Sequence, residues 1–207
     1  MSVREPPALA ADFVGGAVGW RFRSNAGRSH ALLKATGVSP SRPLRVIDAT
    51  AGLGRDGFLL ASMGATVTLI ERSPDVHALL AEALAVGKAE SPELAAMQGR
   101  MTLIRADARE LLPKLSADVV TVDPMHPERN KTALVKQEMR LLRGLVGADP
   151  DVAELMQAAL AAECKRVVLK WPLRAAPPPD LRKPSHQIIG KTVRYDVFVR
   201  PKAAATN

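Results

Sequence analysis

The feature that most constrains this chain is an apolar, β-branched run, residues 44–50 (LRVIDAT), that breaks into Ala51-Gly52-Leu53-Gly54-Arg55-Asp56-Gly57. A run with no polar alternation reads as a strand buried on both faces. Two glycines straight after it let the chain turn sharply into a helix. The same rhythm then repeats. A helix over 55–63 stops at Gly64, and a strand follows over 65–71 (ATVTLIE). The next helix, 73–87, opens with Ser73 as N-cap and Pro74 at the first helical position, and Gly87 is read as its stop. Strands are predicted over 101–107, 117–123 and 166–172, with helices over 108–113, near 131–144 and over 150–163. A helix over 28–36, stopped by Gly37, precedes the first strand, and 13–26 carry no clear pattern. The Pro-rich stretch 173–184 leads into two final strands, 186–191 and 194–200, short enough to form an antiparallel hairpin. Strands alternating with helices specify an α/β, doubly wound, Rossmann-like fold: a mostly parallel sheet with a C-terminal antiparallel hairpin.

Length and composition bound the rest. At 207 residues the chain is expected to be one domain, with a basic N-terminal segment at 1–43 and a Rossmann-like core at 44–201. Hydrophobic residues make up 47% and charged residues 24%, which excludes a disordered or fibrous chain. The single cysteine, Cys164, excludes an internal disulfide or a Cys-rich zinc site. The four histidines, His30, His77, His126 and His186, show no metal-ligand spacing, so no metal is expected. No apolar run reaches the ~18 residues of a membrane helix. The opening residues do not read as a signal peptide, and a cytoplasmic location is expected. The net charge of +8 points to a polyanionic partner. That charge is uneven: residues 1–47 carry +5, residues 48–163 carry −5 and residues 164–207 carry +8.

The glycine loop offers backbone N–H groups and a helix start to an anionic or polar ligand. The second strand ends in Glu71, whose carboxylate can hold ribose hydroxyls. Nicotinamide and S-adenosylmethionine folds share these two devices. Asp48, at the end of the first strand and four residues before Gly52, favours the second, because it gives D-x-x-x-G-x-G and places an acid near a cationic ligand. Methyltransferases often have glycine two residues after that acid; here it is Thr50. A closing hairpin on a parallel sheet also suits the methyltransferase version of the fold.

The fourth strand runs into Asp123-Pro124-Met125-His126-Pro127. An exocyclic amine on a base is a poor nucleophile because its lone pair is delocalised into the ring. Hydrogen bonds accepted by the Asp123 carboxylate and the Pro124 carbonyl pull that nitrogen toward tetrahedral geometry. The lone pair then faces an incoming methyl group. Catalysis of this kind works by positioning and electrostatics, with no covalent intermediate. A planar side chain such as His126 can stack on a base drawn out of its stack.

The stretches VIDATAGLGRDGF (46–58), IER (70–72), Asp123-Pro124-Met125 and KTALVKQEMR (131–140) together resemble the ribosomal RNA small subunit methyltransferase J family. The resemblance covers most of the chain. It implies S-adenosylmethionine as cofactor and methylation of a guanosine N2 amine in 16S ribosomal RNA, free or within the small subunit. It also implies cofactor contacts at Arg55, Asp56, Glu71, Arg72, Asp107, Ala108 and Asp123. Two departures stand out: Asp107-Ala108 where the family often has small hydroxylated residues, and His126 where it usually has an aromatic ring. A nicotinamide oxidoreductase, a DNA amino-methyltransferase and a non-catalytic RNA-binding protein are the alternatives. Arg174, Arg182 and Lys183 lie in the loop leaving the carboxyl end of a strand, the edge that carries Asp123, and are expected to hold RNA phosphates there.

Overall fold

The computed structural model describes residues 30–124 and 151–200. Seven strands within them form one sheet: β1 (Arg45–Asp48), β2 (Thr66–Glu71), β3 (Met101–Arg105), β4 (Val119–Val122), β5 (Arg166–Pro172), β6 (His186–Ile189) and β7 (Val193–Val199). Their order is β3-β2-β1-β4-β5-β7-β6. The first five are parallel, and β7 runs antiparallel between β5 and β6. The chain builds outward from β1 on one side through β2 and β3, then returns to add β4 and β5 on the other. That reversal leaves a crevice at the carboxyl ends of β1 and β4, where open α/β sheets place their ligands.

Helices α1 (Ala31–Thr36), α2 (Arg55–Ser62), α3 (Pro74–Glu90), α4 (Pro92–Gln98), α5 (Ala108–Leu111) and α6 (Val152–Ala161) cover both faces. Adjacent strand residues therefore enter different cores. Val46, Leu69 and Val168 pack with Leu32, Phe58, Leu80 and Leu94 on one face. Ile47, Ile70 and Val167 pack with Leu112, Met156 and Ala159 on the other. This is why the strand sequences read as continuous apolar runs. Cys164 is buried in the second core, where desolvation pushes its thiol proton affinity up.

Three glycines of the loop do different work. Gly52 (φ 51°) and Gly54 (φ 71°) occupy the left-handed region needed to turn from β1 into α2. Gly57 is helical, and a Cβ there would run into Leu69 of β2. Its absence lets α2 lie close against the sheet.

The observed strands begin and end within about two residues of the predicted ones, the usual uncertainty of element ends. Three differences are larger. The helix expected from residue 28 begins at Ala31, after His30, whose Nδ1 caps it by accepting from the Leu32 N–H. The helix expected to stop at Gly87 continues to Glu90. One interior glycine costs only about 1 kcal/mol, and the effective stop is Ser91, whose extended backbone (ψ 154°) breaks the helix. Ser91 then caps α4, accepting a hydrogen bond from the Leu94 N–H, and that helix was not foreseen. The unassigned stretch 13–26, the helix near 131–144, KTALVKQEMR, Met125 and His126 lie outside the described residues. No helix among the described residues is long and apolar enough to cross a membrane.

Candidate active site

The carboxyl ends of β1, β2, β3, β4 and β5 open into a cleft of about 530 Å³. That lies within the roughly 300–1,000 Å³ usual for small-molecule sites. Asp48, Arg55, Asp56, Glu71, Arg72, Asp107, Ala108, Asp123 and Pro124 all line it. The sequence-predicted residues that the structure describes at this edge therefore converge on one site. They divide into two groups of charges.

At one end, Glu71 is buried at the tip of β2 and its two oxygens accept from the N–H groups of Gly52 and Ser73, each at 2.8 Å. It thus ties the glycine loop to the start of α3 while still facing the cleft. Asp107 caps α5 by accepting from the Arg109 N–H at 2.9 Å. The Arg109 guanidinium pairs with the same carboxylate at 2.7 Å and holds its proton affinity below the usual carboxylate range. Arg109 also meets Asp151 (3.0 Å) and Glu154 (2.6 Å), and Arg72 meets Asp151 at 2.7 Å. Asp151, just before α6, therefore joins the end of β2 and helix α5 to the start of α6.

At the other end, Asp48, Asp56 and Asp123 gather around Lys170. Its Nζ lies 2.7 Å from both Asp56 Oδ2 and Asp123 Oδ2. Burial of the lysine opposes its charge, but the two carboxylates outweigh that and raise its proton affinity. Asp48 is 4% exposed. Burial first, then repulsion from Asp56, pushes its pKa up to about 7, against a hydrogen bond from the Thr50 N–H. Thr50 also holds the backbone at this end of the cleft: its Oγ1 accepts from the Asp123 N–H at 2.7 Å. The hydroxyl at the position where methyltransferases often have glycine thus links the turn after β1 to the end of β4.

Lys170, Thr50 and Asp151 were not singled out from sequence as partners in this site. A signal existed for Lys170. A lysine inside the otherwise apolar RVVLKWP strand has to find counter-charges if that strand is buried.

The three basic residues expected at the Asp123 edge are separated. Arg174 follows β5 at that edge and is exposed. Arg182 lies over the Phe198 ring, 5.3 Å from its centre. Phe198 pairs with Val167, near the amino end of β5, so Arg182 sits at the far edge of the sheet. Lys183 precedes β6, whose first residue pairs with Val197 on that same side. Residues 173–185 run the length of the strand, and two of the three charges are carried away from the cleft.

The turn after β5 is pinned from below. Arg194 and Asp196, 7% and 2% exposed, form an ion pair, and Arg194 also donates to the carbonyls of Pro172, Leu173 and Ala175. Gln187 supports Asp196 at 2.6 Å. Arg194→Met is expected to lower stability by about 3 kcal/mol, because it strands a buried carboxylate and three carbonyls. Urea unfolding of the variant beside the parent measures this, and a change below about 1 kcal/mol would contradict a clamp of this kind.

The site suits S-adenosylmethionine. Three carboxylates around one lysine leave its inner end negative, as a sulfonium ligand requires, and the glycines allow a ligand to approach the backbone closely. Fold and site together define a class I S-adenosylmethionine-dependent methyltransferase. A family model described as "Putative SAM-dependent methyltransferase" matches residues 2–200. The ribosomal RNA small subunit methyltransferase J of Rhodopseudomonas palustris is 79% identical over 195 residues, covering 94% of this chain and 96% of that relative. The protein of the same name from Agrobacterium fabrum is 61% identical over 192 residues, covering 93% and 92%. The crystal structure of a SAM-dependent methyltransferase from Neisseria gonorrhoeae matches with a TM-score of 0.73 and 30% identity, covering 99% of this chain and 79% of that one. The chain belongs to the ribosomal RNA small subunit methyltransferase J family. That membership sets aside the nicotinamide oxidoreductase.

Proposed function

We propose that this protein methylates the N2 amine of a guanosine in 16S ribosomal RNA, as a single-domain cytoplasmic enzyme. The observation that carries the reading is Asp123-Pro124 at the carboxyl end of β4, its backbone held by Thr50 and its carboxylate by Lys170. The names of the curated relatives support ribosomal RNA over DNA as substrate.

When bound, the cofactor supplies an electrophilic methyl group on a cationic sulfur. The remaining work falls to the chain. Asp48 and Asp56 favour the cationic end of the ligand, and Arg55 at the start of α2 meets its carboxylate. Glu71 accepts from the ribose hydroxyls, which it can do beside its two backbone bonds because a carboxylate has about four lone-pair positions. Arg72, Asp107 and Ala108 surround the adenine edge. The Asp123 carboxylate and the Pro124 carbonyl accept hydrogen bonds from the amine and turn its lone pair toward the methyl group. Asp123 then takes the surplus proton and, being 45% exposed, can pass it to water. His126 stacks on the base.

Arg174 holds phosphates beside the cleft, while Arg182 and Lys183 hold them at the opposite edge. An RNA touching all three spans β5, seven residues or about 20 Å. A folded RNA or a subunit particle meets that requirement more readily than a short single strand.

The experiment is transfer of labelled methyl to small-subunit particles, and to RNA extracted from them, from a strain lacking this gene. Digestion to nucleosides follows. The expected product is N2-methylguanosine. Label on another nucleoside would overturn the target atom, preferential transfer to duplex DNA would overturn the substrate, and RNA binding without transfer would select the non-catalytic alternative.

A further inference from the structure

We propose that Lys170 is a positioning residue for methyl transfer: its ammonium bridges Asp56 and Asp123, orients the Asp123 carboxylate toward the substrate amine, and offsets the repulsion among Asp48, Asp56 and Asp123. This rests on the reading of Asp123 as the amine acceptor.

The geometry is specific. Lys170 is one residue from the middle of a seven-residue strand, and its side chain is 25% exposed. It reaches two carboxylates on two other elements, each at 2.7 Å: Asp56 in the first turn of α2 and Asp123 at the end of β4. The Asp123 main chain is fixed independently by Thr50. Two restraints, one from the turn after β1 and one from β5, thus set both the position of Asp123 and the rotation of its carboxylate. A hydrogen-bond acceptor that must meet an amine within a few tenths of an ångström gains most from such support. A bridged ammonium also has little freedom to swing toward the cationic ligand and oppose it.

Among the described residues, the charged groups that share this end of the cleft with Asp123 include Asp48 from β1, Asp56 and Arg55 from α2, and Lys170 from β5; His30 before α1 and Tyr195 of β7 line the same cleft. Asp48 is repelled by both Asp56 and Asp123, and Lys170 opposes that repulsion. Without the ammonium, three carboxylates share one low-dielectric edge. Protonation then competes with function at a higher pH.

The test compares Lys170→Met and Lys170→Arg with the parent, using S-adenosylmethionine binding by calorimetry and labelled transfer to small-subunit RNA, each between pH 5.5 and 9. Lys170→Met is expected to lower kcat at pH 7 by about 30-fold or more with KM for RNA within about threefold. It is also expected to move the acid limb of kcat, and the midpoint of cofactor affinity, up by about one pH unit. Lys170→Arg, which keeps the charge, should recover most of the loss and both midpoints. Unmoved midpoints, or equal losses in the two variants, would reduce Lys170 to packing and overturn the proposal. If Lys170→Met does not fold, Lys170→Gln, uncharged but still a donor, provides the same comparison. The nucleoside produced by the parent decides the target atom separately. The calorimetric midpoint needs no RNA, so it decides the role of Lys170 even if that target is wrong.

Discussion

Asp123→Asn is expected to lower methyl transfer by about 10²–10³-fold while the affinity for S-adenosylmethionine changes far less. Asparagine keeps the size of the side chain and one acceptor oxygen, and the Thr50 bond to the backbone is untouched. What is lost is the negative charge that strengthens as the amine becomes cationic, and the group that takes its surplus proton. The substitution also leaves Lys170 paired with Asp56 alone. Single-turnover transfer with labelled cofactor measures the chemical step, and calorimetry measures cofactor binding. A variant with parental turnover would remove Asp123 from the chemistry; one that loses binding and transfer equally would make it a cofactor ligand only.

Asp48→Asn is expected to stabilise the ligand-free protein and weaken cofactor binding. The Asp48 pKa is raised from 3.8 to about 7 by burial and by Asp56. A raised carboxylate pKa favours folding only while the group is protonated. The contribution is full below about pH 4 and is lost as pH climbs through 7. Above that, ionising Asp48 costs up to about 4 kcal/mol, at 1.36 kcal/mol per unit. The variant avoids this cost, so its stability advantage should grow by roughly 2–3 kcal/mol between pH 5 and pH 8. The cationic cofactor favours the ionised form. Parental affinity should therefore fall by about tenfold per unit below pH 7, and the variant should bind weakly at every pH. Thermal unfolding and calorimetry at pH 5 and 8 check both statements. Affinity that stays flat in the parent over that range would mean that Asp48 does not meet the positive end of the ligand.

The two variants separate the tasks of neighbouring carboxylates. Asp48 is buried and electrostatically uncomfortable until a cation arrives. Asp123 is half-exposed, held from two sides, and open to both the cleft and water. The difference comes from position along the strands: Asp48 is still inside β1, paired with Leu69 and Thr121 of its neighbours, whereas Asp123 lies one residue beyond the end of β4.

Much of the fold was legible because its signals are local. Buried strands read as apolar runs, Ser73-Pro74 marks a helix start, and Gly52 and Gly54 mark a turn that only small residues make cheaply. The convergence of Asp48, Glu71, Asp107 and Asp123 was legible too, since parallel strands bring their carboxyl ends to one edge whatever their order. Gly87 does not stop its helix because one glycine in a helix costs little, and Ser91-Pro92 beyond it is the stronger boundary signal.

The sequence by itself thus determined the layered α/β architecture, the glycine turn and the acids that end the strands, because hydrophobic periodicity and backbone sterics act over a few residues. Tertiary structure alone decided that Lys170 meets Asp56 and Asp123, residues 114 and 47 positions away. It alone placed β7 between β5 and β6 and carried Arg182 and Lys183 to the edge opposite Arg174. Charge pairing depends on which strand ends become neighbours, and that is set by how the whole sheet closes, not by any stretch of chain.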